Sequence, residues 1–238
     1  MHADHKHVLN VIRKAGKPGG ALGESYLGSK HKFYNVTVPL RRKIAKDWLR
    51  ARKGIAPRDF FAVLNSLFKG ASHEEKTVAA LLLAYANDMR AQVRPKDIDG
   101  WLTHLDGWAE IDGLCQNVFK AEEMLADWPA WKKLIEKLVR DKDINKRRAS
   151  LVLLVGPTHY SDDARFRDLA FANIERLKGE KEILITKAVS WLLRSMTTRH
   201  AKEVARYLAA NTDSLPAIAL RETRKKLETG TKTGRKQV

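Results

Sequence analysis

The sequence predicts an all-α fold of paired helices, and three observations carry that reading. Helical periodicity runs through nearly the whole chain with no convincing strand series. The seven prolines sit mostly at helix starts, which suits many short helices. A charged residue also enters otherwise apolar helices at Arg42, Lys76, Asp112, Arg148 and Lys187, at intervals of between 34 and 39 residues. A period of that size, with two helices per unit, is the mark of an α-solenoid of degenerate HEAT-like helical repeats. Equivalent positions of stacked repeats form a row, so these five residues are expected along a concave basic groove.

The elements follow in order. Helices are expected over 4–15, 39–53, 57–69, 74–90, 96–105 and 108–125, then over 128–140, 144–156, 162–178, 181–196, 199–211 and 216–228. Pro39 after Val38, Pro57 after Ala56 and Pro95 mark starts, because proline fits the first helical turn, where its missing N–H is not needed. Ser72 two residues before Glu74, and Asp143 ahead of Ile144, supply cap oxygens for the orphan amides. Residues 1–229 are read as one domain, and the basic stretch 230–238 after Gly230 as a disordered tail.

Composition narrows the function. The 238 residues contain 45 Lys and Arg against 28 Asp and Glu, a formal charge of +17. Such an excess favours a polyanion, nucleic acid first, because dispersed cations neutralise phosphates and release counterions. No apolar run is long enough to cross a bilayer, the N-terminus lacks a greasy signal core, and one cysteine cannot build a disulfide framework. A cytoplasmic, nucleoid-associated monomer without cofactor is the expectation. His2, His5 and His7 lack a Cys or carboxylate partner cluster, so no metal site is read there. No Walker loop, Gly-rich dinucleotide turn or Ser-His-Asp set is visible.

The pair Trp108 and Asp112 in Gly107-Trp-Ala-Glu-Ile-Asp-Gly113 is the most informative feature. Four residues apart on a helix, an indole and a carboxylate project from nearly one face. The stripe through Trp108, Ile111, Cys115, Val118 and Phe119 also runs through Asp112, where an ionised group is costly unless compensated. A structural ion pair is one reading; a carboxylate held beside an aromatic wall for chemistry is the other. Likewise Arg148 could pair with an acid of another repeat, Trp191 could be core, and Cys115 reads as core.

Three short stretches, in order, resemble the bacterial DNA alkylation-repair glycosylases of the AlkD type. Trp108-Ala-Glu-Ile-Asp112 resembles that family's catalytic Trp-x-x-x-Asp. Ile144-Asn-Lys-Arg-Arg-Ala149 resembles the segment bearing its active-site arginine, at Arg148, and Lys187-Ala-Val-Ser-Trp191 the segment bearing a second aromatic, at Trp191. Phe33-Tyr-Asn-Val-Thr-Val-Pro-Leu-Arg-Arg42 looks like the N-terminal Gly-x-x-x-Pro-x-x-Arg stretch, with Asn35 where Gly is expected, a departure that concerns a turn more than the chemistry. Tyr26 matches, weakly, an aromatic near the DNA.

The resemblance implies hydrolysis of the N-glycosidic bond of cationic alkylated purines, such as N3-methyladenine or N7-methylguanine, in duplex DNA during base excision repair. A cationic base leaves without a general acid, so the oxocarbenium-like sugar is what needs stabilising. Asp112 would supply charge and position or deprotonate water, Trp108 and Trp191 would flank the deoxyribose, and Arg148 would bind the adjacent phosphate. Tyr26, Arg42, Lys76, Arg147 and Lys187 are the further DNA-binding candidates. The alternative is a non-catalytic HEAT-repeat nucleic-acid-binding or scaffold protein.

Overall fold

The structure is a computed structural model that describes residues 1–17, 24–116 and 119–234. Among the described residues the only β-type pairing is one bridge between Lys32 and Ser72; the rest of the regular structure is helical. The chain groups into two compact units, Met1–Val118 and Phe119–Val238.

The first unit holds α1 (Ala3–Ala15), α2 (Glu24–Leu27), α3 (Val38–Ala51), α4 (Pro57–Phe68), α5 (His73–Tyr85), α6 (Asn87–Arg90), α7 (Pro95–Leu102) and α8 (Trp108–Cys115). Within it α3 packs on α5 and α5 on α8, α4 also packs on α5, and α1 touches α3, α4 and α5. α5 is buried at nearly every position, with the ring of Phe68 stacked on Trp101 at 4.8 Å nearby. Each fully buried Phe, Leu or Ile of this core, such as Phe60, Leu64 and Leu83, contributes about 1.5–3 kcal/mol.

The second unit holds α9 (Ala121–Leu125), α10 (Trp128–Leu138), α11 (Ile144–Val152), α12 (Val155–Tyr160), α13 (Ala164–Leu177), α14 (Ile183–Met196), α15 (Ala201–Ala210) and α16 (Ala217–Thr229). Here α11 packs on α14 and α14 on α16, with α10, α13 and α15 as their hairpin partners. Within each unit, then, alternate helices stack in a row, as in an α-solenoid. Positions 42, 76 and 112 fall on α3, α5 and α8, and positions 148 and 187 on α11 and α14, which are helices of the stacked row in each unit.

Four elements differ from expectation. The helix expected over 74–90 breaks at Ala86 (φ −101°, ψ 76°), and the freed Ala84 carbonyl accepts from the buried Arg90 guanidinium. The helix expected over 108–125 is α8 and α9, with residues 117 and 118 outside the described residues. The helix expected to end at 156 stops at Val152, and the chain restarts as α12 with Pro157 in its first turn, where its ring meets no preceding carbonyl. The four-residue α2 had no signal in the sequence. Beyond Gly230, whose left-handed φ of 76° closes α16, Lys232 and Thr233 line a shallow groove of about 720 Å³ with Arg221, Arg224 and Lys225. Arg235 and Lys236 lie outside the described residues.

Candidate functional site

α8 carries the pair singled out above. Gly107 precedes it with φ +73°, and a Cβ there would overlap the Leu27 carbonyl and the backbone of Gly28. Glycine is therefore required twice, for the backbone angle and for the approach of a neighbouring segment. That approach brings Tyr26 onto Trp108: the indole Nε1–H donates to the Tyr26 carbonyl (2.8 Å), and the two rings meet edge to face at 5.6 Å. Tyr26 itself is 62% exposed, and Trp108 and Asp112 are both half-buried.

Asp112 therefore does not lie in the apolar stripe. The buried face of α8 is Glu110, Ile111, Leu114 and Cys115, and Trp108 and Asp112 share the partly open side one turn apart. Cys115 is core, as expected, and Val118 of the expected stripe lies outside the described residues. The carboxylate that does occupy the interior is Glu110, which the sequence did not single out.

Glu110 is 2% exposed and gathers four donors. Ser29 Oγ donates at 2.8 Å, His31 Nδ1 lies 3.0 and 3.1 Å from the two oxygens, His73 Nδ1 lies at 3.1 Å, and the Asp106 N–H donates at 2.9 Å. Arg41 Nη1 lies 3.0 Å from His73 Nε2. A guanidinium can only donate, so Nε2 accepts and Nδ1 carries the proton given to Glu110. Burial alone would raise the Glu110 carboxyl; the bonds from His31, His73 and Asp106 outweigh it and hold the group at about 2. Any signal for this cluster lay in a Glu two residues before Asp112 and two distant histidines, and nothing local joins them.

The turn that opens α5 organises the preceding chain. Beside His73, Glu74 accepts from the Tyr34 and Val36 amides, and Glu75 pairs with His5 at 2.6 Å and with Ser72. Asn35 adopts φ +58°, a left-handed angle that Asn tolerates better than most residues, and its Nδ2 donates to the Lys17 carbonyl. No regular turn surrounds it; the left-handed angle is what Asn shares with the expected Gly.

The DNA-binding candidates separate by environment. Arg42 on α3 and Lys187 on α14 are exposed. Lys76 is not on any surface: it is 2% exposed, its ammonium donates to the carbonyls of Phe68 and Gly70, and burial lowers its affinity for the proton. As placed, it cannot reach a phosphate, because its donors close the end of α4. Arg147 is partly buried and bonded to both Glu180 oxygens and to the carbonyls of Asp141 and Lys142. Arg148 is 5% exposed with Nη1 on the Leu184 carbonyl. Trp191 is half-buried, one turn after Lys187 on α14 and outside that helix's fully buried set.

Among the described residues no group of three or more His, Cys, Asp or Glu could hold a metal ion, and His5 of the N-terminal histidines is buried against Glu75. No described helix is long and apolar enough to cross a membrane.

The model of a family described as "DNA alkylation repair enzyme" matches residues 11–227. The chain belongs to the DNA alkylation repair enzyme family. A solved structure described as "Predicted DNA alkylation repair enzyme from Enterococcus faecalis" is similar with a TM-score of 0.62 at 16% identity, over 85% of this chain and 91% of that one. Likeness at that identity speaks for the fold. No curated protein matches. Membership carries with it a role in DNA alkylation repair.

Proposed function

We propose that this member is a DNA glycosylase that hydrolyses the N-glycosidic bond of cationic alkylated purines, N3-methyladenine and N7-methylguanine, in duplex DNA for base excision repair. The observation that carries the reading is on α8: a half-buried carboxylate one turn from a half-buried indole whose nitrogen is already occupied by a backbone carbonyl. An indole held that way offers its π face and not its donor, and a π face stabilises positive charge. Asp112 adds a full negative charge on the same side.

The chemistry needs little more. Alkylation makes the base a cation and a good leaving group, so the bond breaks without a proton donor, and the deoxyribose becomes oxocarbenium-like. Asp112 stabilises that charge and orients or deprotonates the attacking water. Trp108 lies against the sugar and excludes solvent, and Tyr26, exposed beside it, meets the DNA. In the second unit Trp191 is assigned a sugar-facing role and Lys187 a phosphate contact; in the first, Arg42 is a phosphate contact. Arg148 is assigned to the phosphate beside the lesion, and Arg147 contributes field rather than direct contact. The excess of cations makes binding to DNA strongly salt-dependent and tolerant of sequence. We assign the protein to act as a monomer, without cofactor, where cellular DNA is.

The test is release of free base from duplex DNA carrying N7-methylguanine, run beside Asp112→Asn. The wild type is expected to release base and the variant to be slower by about a hundredfold or more, as when a key charge-stabilising group is removed. Folded protein that binds DNA and releases no base from any methylated substrate would instead be a non-catalytic nucleic-acid-binding or scaffold member of the family.

A further inference from the structure

We propose that Glu110 is a positioning residue, which fixes the orientation of the Trp108 indole by holding the segment from Tyr26 to His31 on the start of α8. The proposal rests on the reading of Trp108 and Asp112 given above. An indole has one polar atom, and in Trp108 that atom is bound to the Tyr26 carbonyl. The indole can be no better ordered than the segment that presents this carbonyl. α2 is four residues long and cannot sustain itself, and Tyr26 is largely exposed. Order must come from the residues just downstream.

Those residues converge on α8. Ser29 Oγ and His31 Nδ1 both bond the Glu110 carboxylate, and the Lys30 N–H bonds Asp106 Oδ2 at 2.8 Å. Gly107 leaves the room in which this happens. Glu110 is in turn fixed from the opposite side by His73, itself held by Arg41, whose Nη1 also donates to Thr77. Lys32 completes the attachment through backbone bonds to Ala71 and His73 at the start of α5. The lever is short: Glu110 stands between Trp108 and Asp112 on the same helix, so one buried carboxylate sets both the helix and the segment that clamps its aromatic face. Ser29 at 1% exposure and Glu110 at 2% make the joint dry, where its charge-assisted bonds are strong.

The experiment uses the full chain labelled with 5-fluorotryptophan, whose six tryptophans give separate ¹⁹F lines. Trp108→Phe assigns the line of interest. Glu110→Gln and His31→Ala are expected to shift and broaden the Trp108 line while the other lines stay in place. Release of N7-methylguanine should fall about tenfold in kcat with KM within about twofold, since misplacing an aligned group costs turnover before binding. His31→Asn, whose amide N–H reaches the place of Nδ1, should restore both. Should Glu110→Gln fail to fold, the two His31 variants, at a partly exposed position, decide the matter.

A Trp108 line that stays unchanged in folded Glu110→Gln and His31→Ala overturns the proposal, as does a shifted line with undiminished kcat or a uniform disturbance of all six lines. A shifted Trp108 line in a protein whose wild type releases no base would leave Glu110 as the clamp and refute the glycosylase reading alone.

Discussion

α8 and α11 belong to the stacked rows of their own units, and each carries a charged residue marked by the same recurrence in the sequence. They bury it to different depths. On α8 the marked residue, Asp112, is half-buried beside Trp108, while its neighbour Glu110 takes the interior and four donors. On α11 the marked residue, Arg148, is itself the buried group, and its neighbour Arg147 is tied to Glu180. The recurrence in the sequence marks the helix that carries a charge, and the elements that pack around that helix decide how deeply the charge is buried.

The comparison can be broken at several points. The largest effect is expected on the closed side: Arg148→Ala removes a buried donor from the Leu184 carbonyl and should cost about 3 kcal/mol or more, seen as a lower Tm or denaturation midpoint. Asp112→Asn, a near-isosteric change at a half-buried position, should cost less, about 1 kcal/mol. Equal thermal losses in the two variants would erase the distinction between a half-buried and a buried charge.

Next comes Gly107→Ala, which forces a side chain into a left-handed backbone and against Leu27 and Gly28. A loss of about 2 kcal/mol is expected, together with a change in Trp108 fluorescence. A variant as stable as wild type would mean that the clamp on α8 is not tight.

The Glu110 cluster makes a prediction in acid. Its carboxyl lies at about 2 in the folded protein against an ordinary 4.5, so its contribution is complete above about 4.5 and is lost as pH falls toward 2. Chemical denaturation between pH 5 and pH 2.5 should show that slope in the wild type and a shallower one in Glu110→Gln. Identical slopes would show that the cluster does not hold the charged form.

The smallest effects concern DNA. Arg42→Ala and Lys187→Ala should each lower the slope of log K against log salt by about one, whereas Lys76→Met should leave it unchanged. A Lys76→Met variant with a reduced slope would mean that this buried lysine comes out to meet phosphate.

Much of this molecule was readable from residues in a line. Periodicity, prolines at helix starts and the Ser72 and Asp143 caps specify helices, because a helix is made by contacts within four residues. The place of Trp108 and Asp112 on one side of one helix follows from the same geometry. At Asn35 the expected Gly is replaced by another residue that tolerates a left-handed angle, which is a local property. The break at Ala86 was not, because no glycine or proline stands there and its freed carbonyl is satisfied by a side chain.

The sequence by itself determined the helices, the rows on which the charged residues fall and the excess of cations that favours a polyanion. Tertiary structure alone decided which of those charges are buried. It turned Lys76 inward onto the end of α4, closed Arg148 on Leu184, and brought Ser29, His31 and His73 to Glu110 across 81, 79 and 37 residues of chain. The reason is physical: a helix face is set by spacing along the chain, but the solvation of a charge on that face depends on donors and acceptors arriving from elsewhere in the fold.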